Sequence, residues 1–280
     1  MEGNIKLWCQ DHIWRANFGE NSFKAYSITL PQAFHDFMNS DSIVIDENDS
    51  EDPAQLLLGS EGMRKLISDI NIGIEYVGGK GVVPKLNWSA PQDALWMHEL
   101  KCCTYRDVLL LIKSSELISN DMSEAEQLGI PLVMNLVRYH NLADGMTFRC
   151  FVKNSEIVGI SQKTSINTPF LAELKIILTE KITDFYNDVV DPVINFEDFC
   201  FDVYVDIPPR YKCWLLGFSS WDEDTSSLLF SWEELNQLSS LEFRTYDSES
   251  IQPNDYSANR VPIEMTDGTD LEEFFKNLRS

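Results

Sequence analysis

The sequence predicts an α+β fold, mostly antiparallel strands with flanking helices, arranged as two lobes able to close on a ligand. Three observations lead there. Apolar residues at Met63, Leu66, Ile67, Ile70 and Ile74 recur at helical spacing ahead of Gly78 and Gly79. The segments FRCFVKN and EIVGISQK meet at Asn154-Ser155, a composition that suits a hairpin turn. CFDVYVDI and YKCWLLGF flank Pro208-Pro209, which reads as a second hairpin.

Each element follows in order. The segment to about Leu30 mixes aromatics and β-formers (Trp8, Trp14, Phe18, Phe23, Tyr26) and is expected to pack as an N-terminal cap. Residues 41–53, DSIVIDENDSEDP, are dense in carboxylates and end in proline, as a mobile acidic loop would. Past the helix, the two glycines hand over to a strand, GVVPKLNW. Val108 to Ile112 is wholly apolar and closed by Lys113-Ser114-Ser115, which suggests a strand buried on both faces. Ile130 to Val137 follows as a further apolar segment. Thr168 and Pro169 are expected as the N-cap and first residue of a helix that buries Leu171, Leu174, Leu178, Ile182 and Phe185. Phe230 to Leu238 suggests a short helix, residues 245–258 a polar surface segment, and Leu271 to Leu278 a terminal helix. No internal repeat divides the chain, so 1–280 is expected to form a single unit.

Charge narrows the partners. With 22 basic and 45 acidic side chains the formal charge is −23, a field that repels phosphate backbones and anionic membrane surfaces. No nucleic acid and no membrane is therefore expected as a partner, and a basic protein face fits better. No stretch approaches the roughly 18 apolar residues of a membrane span, and the start lacks a basic region followed by an apolar run. The six cysteines form no CxxC pair and no zinc spacing with the four histidines, so free thiols and a cytoplasmic location are expected. The chain is expected to be a monomer.

The most distinctive stretch is Pro84-Lys85-Leu86-Asn87-Trp88-Ser89-Ala90-Pro91-Gln92-Asp93-Ala94. A lysine ending an apolar strand, with a loop of small residues behind it, suits nucleotide phosphates: the ammonium is a point charge and the loop adds N–H donors. It is not a Walker A loop, and such a lysine also occurs as an ordinary surface residue. In MTFRCFVKN, Arg149 points away from the face of Phe148 and Cys150. Gln162 and Lys163 end the paired strand, where both could converge with Arg149. FDVYVD places Asp202, Tyr204 and Asp206 on one strand face, and an aspartate facing basic groups is one arrangement that holds magnesium against a triphosphate.

PKLNWSAPQDALW, LLLIKSSELI, FRCFVKNSEIVGISQ, FDVYVDIPP and LLFSWEEL resemble, in order and spacing, the cell division cycle protein 123 family. The resemblance runs nearly end to end. It implies an ATP-grasp-like fold whose two lobes hold ATP and Mg2+ between them. It also implies an assembly factor for eukaryotic translation initiation factor 2 that binds its gamma subunit and promotes its joining to the alpha and beta subunits. Carried over by position, Lys85 would contact the phosphates, and the loop at Ala90 and Asp93 would shape the pocket. Val137, Arg138 and Tyr139 would form the hinge against the adenine, where the family usually has Arg-Lys-Trp. Arg149 matches the family motif, Lys163 replaces a family arginine, and Thr147 stands where the family has glutamate.

The metal site departs most from the family pattern. Asp202 matches one ligand, but Gly217 and Ser219 replace an Asp-x-Asn pair, so a carboxylate is missing and a carbonyl has become a hydroxyl. Asp222, Glu223 and Asp224 are nearby substitutes past the strand end. The resulting expectation is an ATP-binding assembly factor with weakened or metal-independent nucleotide binding and no catalysis. The alternatives are a divergent duplicate acting as scaffold or competitor on the gamma subunit or another partner, and an ATP-dependent ligase.

Overall fold

Two hydrophobic cores, each built on its own sheet, organise the chain in this computed structural model. It describes residues 4–40, 59–94, 100–143, 145–165 and 168–246. The smaller sheet is antiparallel, order β1-β3-β2, from β1 (Ala25–Thr29), β2 (Val82–Lys85) and β3 (Val133–Arg138). Helix α3 (Gln32–Met38) and the long α4 (Glu61–Tyr76) contribute Phe34, Phe37, Met63, Leu66 and Ile70 to its core. The predicted helix over 63–74 is therefore present. It starts where the Ser60 hydroxyl accepts from the Met63 N–H. It lies so close to the sheet that a Cβ at Gly73 would stand 2.6 Å from Leu136 Cδ1.

Residues 108–112 are not a strand. They lie in helix α5 (Tyr105–Lys113), which buries Val108, Leu109, Leu111 and Ile112 in the same core. The physical reason is local. Thr104 accepts from the Asp107 N–H while the Asp107 carboxylate accepts from the Thr104 N–H, a capping box that nucleates the first turn. A continuous apolar run does not by itself separate a buried strand from a helix buried on most sides. Helix α6 (Glu116–Leu128) follows at once and ends on Gly129 in the left-handed region.

The larger sheet has the order β7-β6-β4-β5-β8, from β4 (Thr147–Lys153), β5 (Glu156–Gln162), β6 (Phe199–Val205), β7 (Cys213–Ser220) and β8 (Glu242–Arg244). Only the β5–β8 pairing is parallel. Both predicted hairpins are present. Asn154 and Ser155 take φ of 51° and 61°, the left-handed pair that matches strand twist in a two-residue turn. Helix α7 (Leu171–Phe185) covers one face and buries Leu171, Leu178, Ile182 and Phe185, with Leu174 partly buried. Thr168 is not its N-cap. The helix begins after a turn at Pro169 and Phe170 closed by the Leu171 N–H on the Thr168 carbonyl. Thr168 therefore stands two residues ahead of the cap position, its hydroxyl accepting from the Gln162 amide at 3.5 Å. On the other face, α8 (Trp232–Gln237) packs Leu235 with Phe151 and Phe230.

The N-terminal cap is also present. Helices α1 (Ile5–Trp8) and α2 (Asp11–Phe18) set Trp8, Trp14 and Phe18 against Phe218 of β7. The expectations for 41–53, for 271–278 and for all but Thr245 and Tyr246 of the 245–258 segment lie outside the described residues. All six cysteines are free, and no described helix is long and apolar enough to cross a membrane.

Candidate functional site

Strand alternation decides which side chains meet. On β4, Phe148, Cys150 and Val152 enter the core under α7, which leaves Arg149 and Phe151 on the opposite face. Register sets Arg149 beside Asp202 of β6 and Ser161 of β5, and sets Asp202 beside Gly217 of β7. The Arg149 guanidinium therefore grips Asp202 with two parallel bonds, Nε to Oδ1 at 2.8 Å and Nη2 to Oδ2 at 3.0 Å. Its Nη1 donates to the Ser226 carbonyl at 2.9 Å. Lys163, just past the end of β5, donates to Asp202 Oδ2. Burial pushes the Asp202 carboxyl up, but Arg149 and Lys163 outweigh it and hold the group well below the ordinary carboxylate range.

Gln162 does not converge with Arg149. It is the neighbour of Lys163 and so faces the other way, fully buried, where its Oε1 accepts from the Tyr246 N–H at 3.0 Å. Asp206 lies beyond the strand end and pairs with Arg210.

Lys85 approaches from the other sheet. Its Nζ donates to Asp11 Oδ1 at 2.7 Å and across to the Leu216 carbonyl of β7 at 3.2 Å. A Cβ placed on Gly217 would lie 3.6 Å from that ammonium. Lys85, Gly217 and Asp202 thus share one junction between the sheets. Asp11 is completely buried at the start of α2, bonded to Arg15 and to the Asn135 amide at 2.9 Å. Burial raises its carboxyl, and the Arg15 and Lys85 charges more than reverse that, so it titrates low. Neutral amides complete the surroundings. Asn87 donates to Gln10 and to the Pro131 carbonyl and accepts from the Val133 N–H, and Asn135 accepts from Ser27. The loop after Lys85 is pinned by Asp121, which accepts from the N–H groups of Trp88 and Ser89 and from the Ser89 hydroxyl. Burial there dominates and raises the Asp121 carboxyl.

Other predicted residues lie apart from this junction. Asp93 turns toward α6 and accepts from the Ser115 hydroxyl and the N–H groups of Glu116 and Leu117, so it caps a helix. Ala90 is half-buried in the same loop. Val137 pairs with Ala25 and Val83 at the far end of the small sheet, whereas Lys85 sits opposite Asn135. The N–H groups of Arg138 and Tyr139 are already given to the carbonyls of Lys24 and Gly81, at 2.8 and 3.0 Å. Thr147 lies opposite Tyr204. A cavity of about 320 Å³ lined by Arg15 and Ser27 adjoins the Asp11 network, and another of about 360 Å³ lies away at Ile176 and Phe243.

A divalent metal finds little here in the arrangement the residues hold. Both Asp202 oxygens carry cationic donors, Gly217 has no side chain to offer, and Ser219 pairs with Cys200 two steps along the ladder. Asp222 closes its own turn by accepting from the N–H groups of Asp224 and Thr225, and Glu223 and Asp224 are exposed. No group of three or more metal-ligating side chains occurs among the described residues.

Comparison with known proteins places the chain in a family. The D123 family profile matches residues 46–269. The chain belongs to the D123 family. Among relatives, proteins named translation initiation factor eIF2 assembly protein from Dictyostelium discoideum and Xenopus tropicalis are 32% and 30% identical. They cover 93% and 95% of this chain and 91% and 92% of their own. The protein of the same name from Aspergillus niger is 30% identical over 94% of this chain and 82% of its own. The solved structure of Cdc123 from Schizosaccharomyces pombe superposes with a TM-score of 0.75 at 29% identity, covering 88% of this chain and 98% of that one. The resemblance to the cell division cycle protein 123 family and the ATP-grasp-like α+β fold are both borne out.

Sequence reasoning missed Asp11, Asn135 and Asp121. Asp11 is 74 positions from Lys85, and no local pattern marks it. The signal present was weak: a carboxylate inside the aromatic run Trp8 to Trp14, where an unpaired charge has no reason to sit.

Proposed function

We propose that the chain is an assembly factor for eukaryotic translation initiation factor 2, holding its gamma subunit and taking an adenine nucleotide at the Lys85–Asp202 junction. The observation that carries this reading is the match to proteins named for eIF2 assembly over more than nine tenths of both chains. The formal charge of −23 supports it, since an acidic surface steers a basic partner face into place. Such a role needs only a difference in affinity between conformations of the partner, and no bond need be made or broken.

The test is binding of the purified chain to the isolated gamma subunit at low and high ionic strength. Salt-sensitive association is expected. No association at low ionic strength removes the reading. Expression in cells deprived of their own assembly factor should restore growth, and failure of a well-expressed chain to do so favours a scaffold or competitor instead.

A further inference from the structure

The junction carries more positive charge than its own carboxylates absorb. Arg15, Lys85, Arg149 and Lys163 gather about Asp11 and Asp202, with Asp121 behind the Lys85 loop, in a chain that is otherwise strongly acidic. Lys85 Nζ makes two hydrogen bonds and Lys163 Nζ one, so each ammonium keeps a donor to spare. Both remain within reach of solvent, their side chains 16% and 27% exposed. Lys163 is held below the ordinary lysine value, first by burial and then by Arg149 and Lys85, even against the pull of Asp202. An added anion would relieve that crowding, whereas an added cation would worsen it.

Magnesium asks for the reverse. It takes an octahedral shell of oxygens, usually with one or two carboxylates free to bind it. To use Asp202 it would have to displace Lys163 or one arm of Arg149. Directly opposite, Gly217 has no side chain, and Lys85 Nζ is the only non-neighbouring described atom within 4 Å of where its Cβ would be. An ammonium stands over the position from which a second carboxylate would project.

We infer that this junction takes a polyphosphate group directly on Lys85 and Lys163, without a divalent metal, the fixed ammonium groups supplying the charge an ion would otherwise bring. The inference rests on the nucleotide part of the proposed function and specifies its chemistry. Arg149 stays behind as the group that holds Asp202 and keeps Lys163 in place.

Calorimetric titration of the full chain tests it, with ATP and with inorganic tripolyphosphate, each in EDTA and in excess magnesium. ATP should bind in EDTA at least as tightly as with magnesium, and more weakly as salt is raised. Equal binding of tripolyphosphate makes the phosphate chain sufficient, and binding of ATP alone makes the nucleoside part of the ligand; both outcomes support the inference. Binding seen only with magnesium overturns it and leaves the nucleotide reading standing, whereas no binding under either condition overturns both. Gly217→Asp sets a carboxylate beside Lys85 and should lower the metal-free affinity about tenfold. Lys85→Met, which leaves Asp11 still paired with Arg15, should do the same. Unchanged metal-free affinity in both variants, with thermal unfolding showing them folded, also overturns the inference.

Discussion

The two sheets bury charge in opposite ways. On the small-sheet side one anion, Asp11, is bonded by two cations and by the neutral Asn135 amide, next to a paired Asn87 and Gln10. On the large sheet the anion Asp202 is itself the hub, and its bidentate partner Arg149 is as deeply buried as it is. The Asp11 arrangement has other donors to share the load when one is lost. The Asp202 arrangement keeps only the partly exposed Lys163 when Arg149 is lost, and removing Asp202 strands the buried Arg149 guanidinium.

That contrast orders the expected effects. Arg149→Met should destabilise the fold by about 3–5 kcal/mol, read as a lower urea midpoint. Pairing it with Asp202→Leu should cost less than the sum of the single changes by more than about 1 kcal/mol; simple additivity would deny the coupling. Asp11→Asn should cost about 2–3 kcal/mol, since the amide keeps the shape and the contact with Asn135 while the countercharge is lost. A larger loss for Asp11→Asn than for Arg149→Met would invert the comparison.

Acid should affect both sites in the same direction. Asp11 and Asp202 titrate below their unfolded values, so each contributes stability that is complete above the unfolded carboxyl value of about 3.9. That contribution is lost as pH falls through the depressed folded values. Urea midpoints measured from pH 5 down to pH 2 should therefore fall more steeply for the native chain than for Asp202→Asn. Parallel slopes would mean that Asp202 carries no such contribution.

The smallest effect concerns a residue that the family resemblance placed in the loop shaping the pocket. Asp93→Ala should cost about 1 kcal/mol by leaving the Glu116 and Leu117 N–H groups without their acceptor while Ser115 still caps α6, with hydrogen exchange rising first in that helix. Faster exchange in β6 and β7 instead would return Asp93 to the junction.

How far the sequence could be read follows from range. Helix α4 and both hairpins were legible because their cues lie within a few residues: spacing for the helix, Asn154-Ser155 and Pro208-Pro209 for the turns. Arg149 and Asp202 were legible because alternation along a strand fixes a side chain's face without knowledge of the partner. Helix α5 was misread although Thr104 and Asp107 carried its start signal, because the uninterrupted apolar run outweighed a cap of two polar residues. Gln162 was misread by one step of alternation at a strand end. The pairing of Asp11 with Lys85 could not be read, since nothing local ties a carboxylate on α2 to an ammonium on β2.

Lys85 belongs to the small sheet by chain and to the large sheet by its bond to the Leu216 carbonyl. Mechanically it is a rivet, a single flexible side chain pinned into both plates. A ligand that drew the ammonium off the Leu216 carbonyl would remove one bond between the plates, leaving helices α1 and α2, which pack on Phe218 and bond Asn135, to hold them together. A partner gripping both lobes would feel the difference without ever touching the ligand.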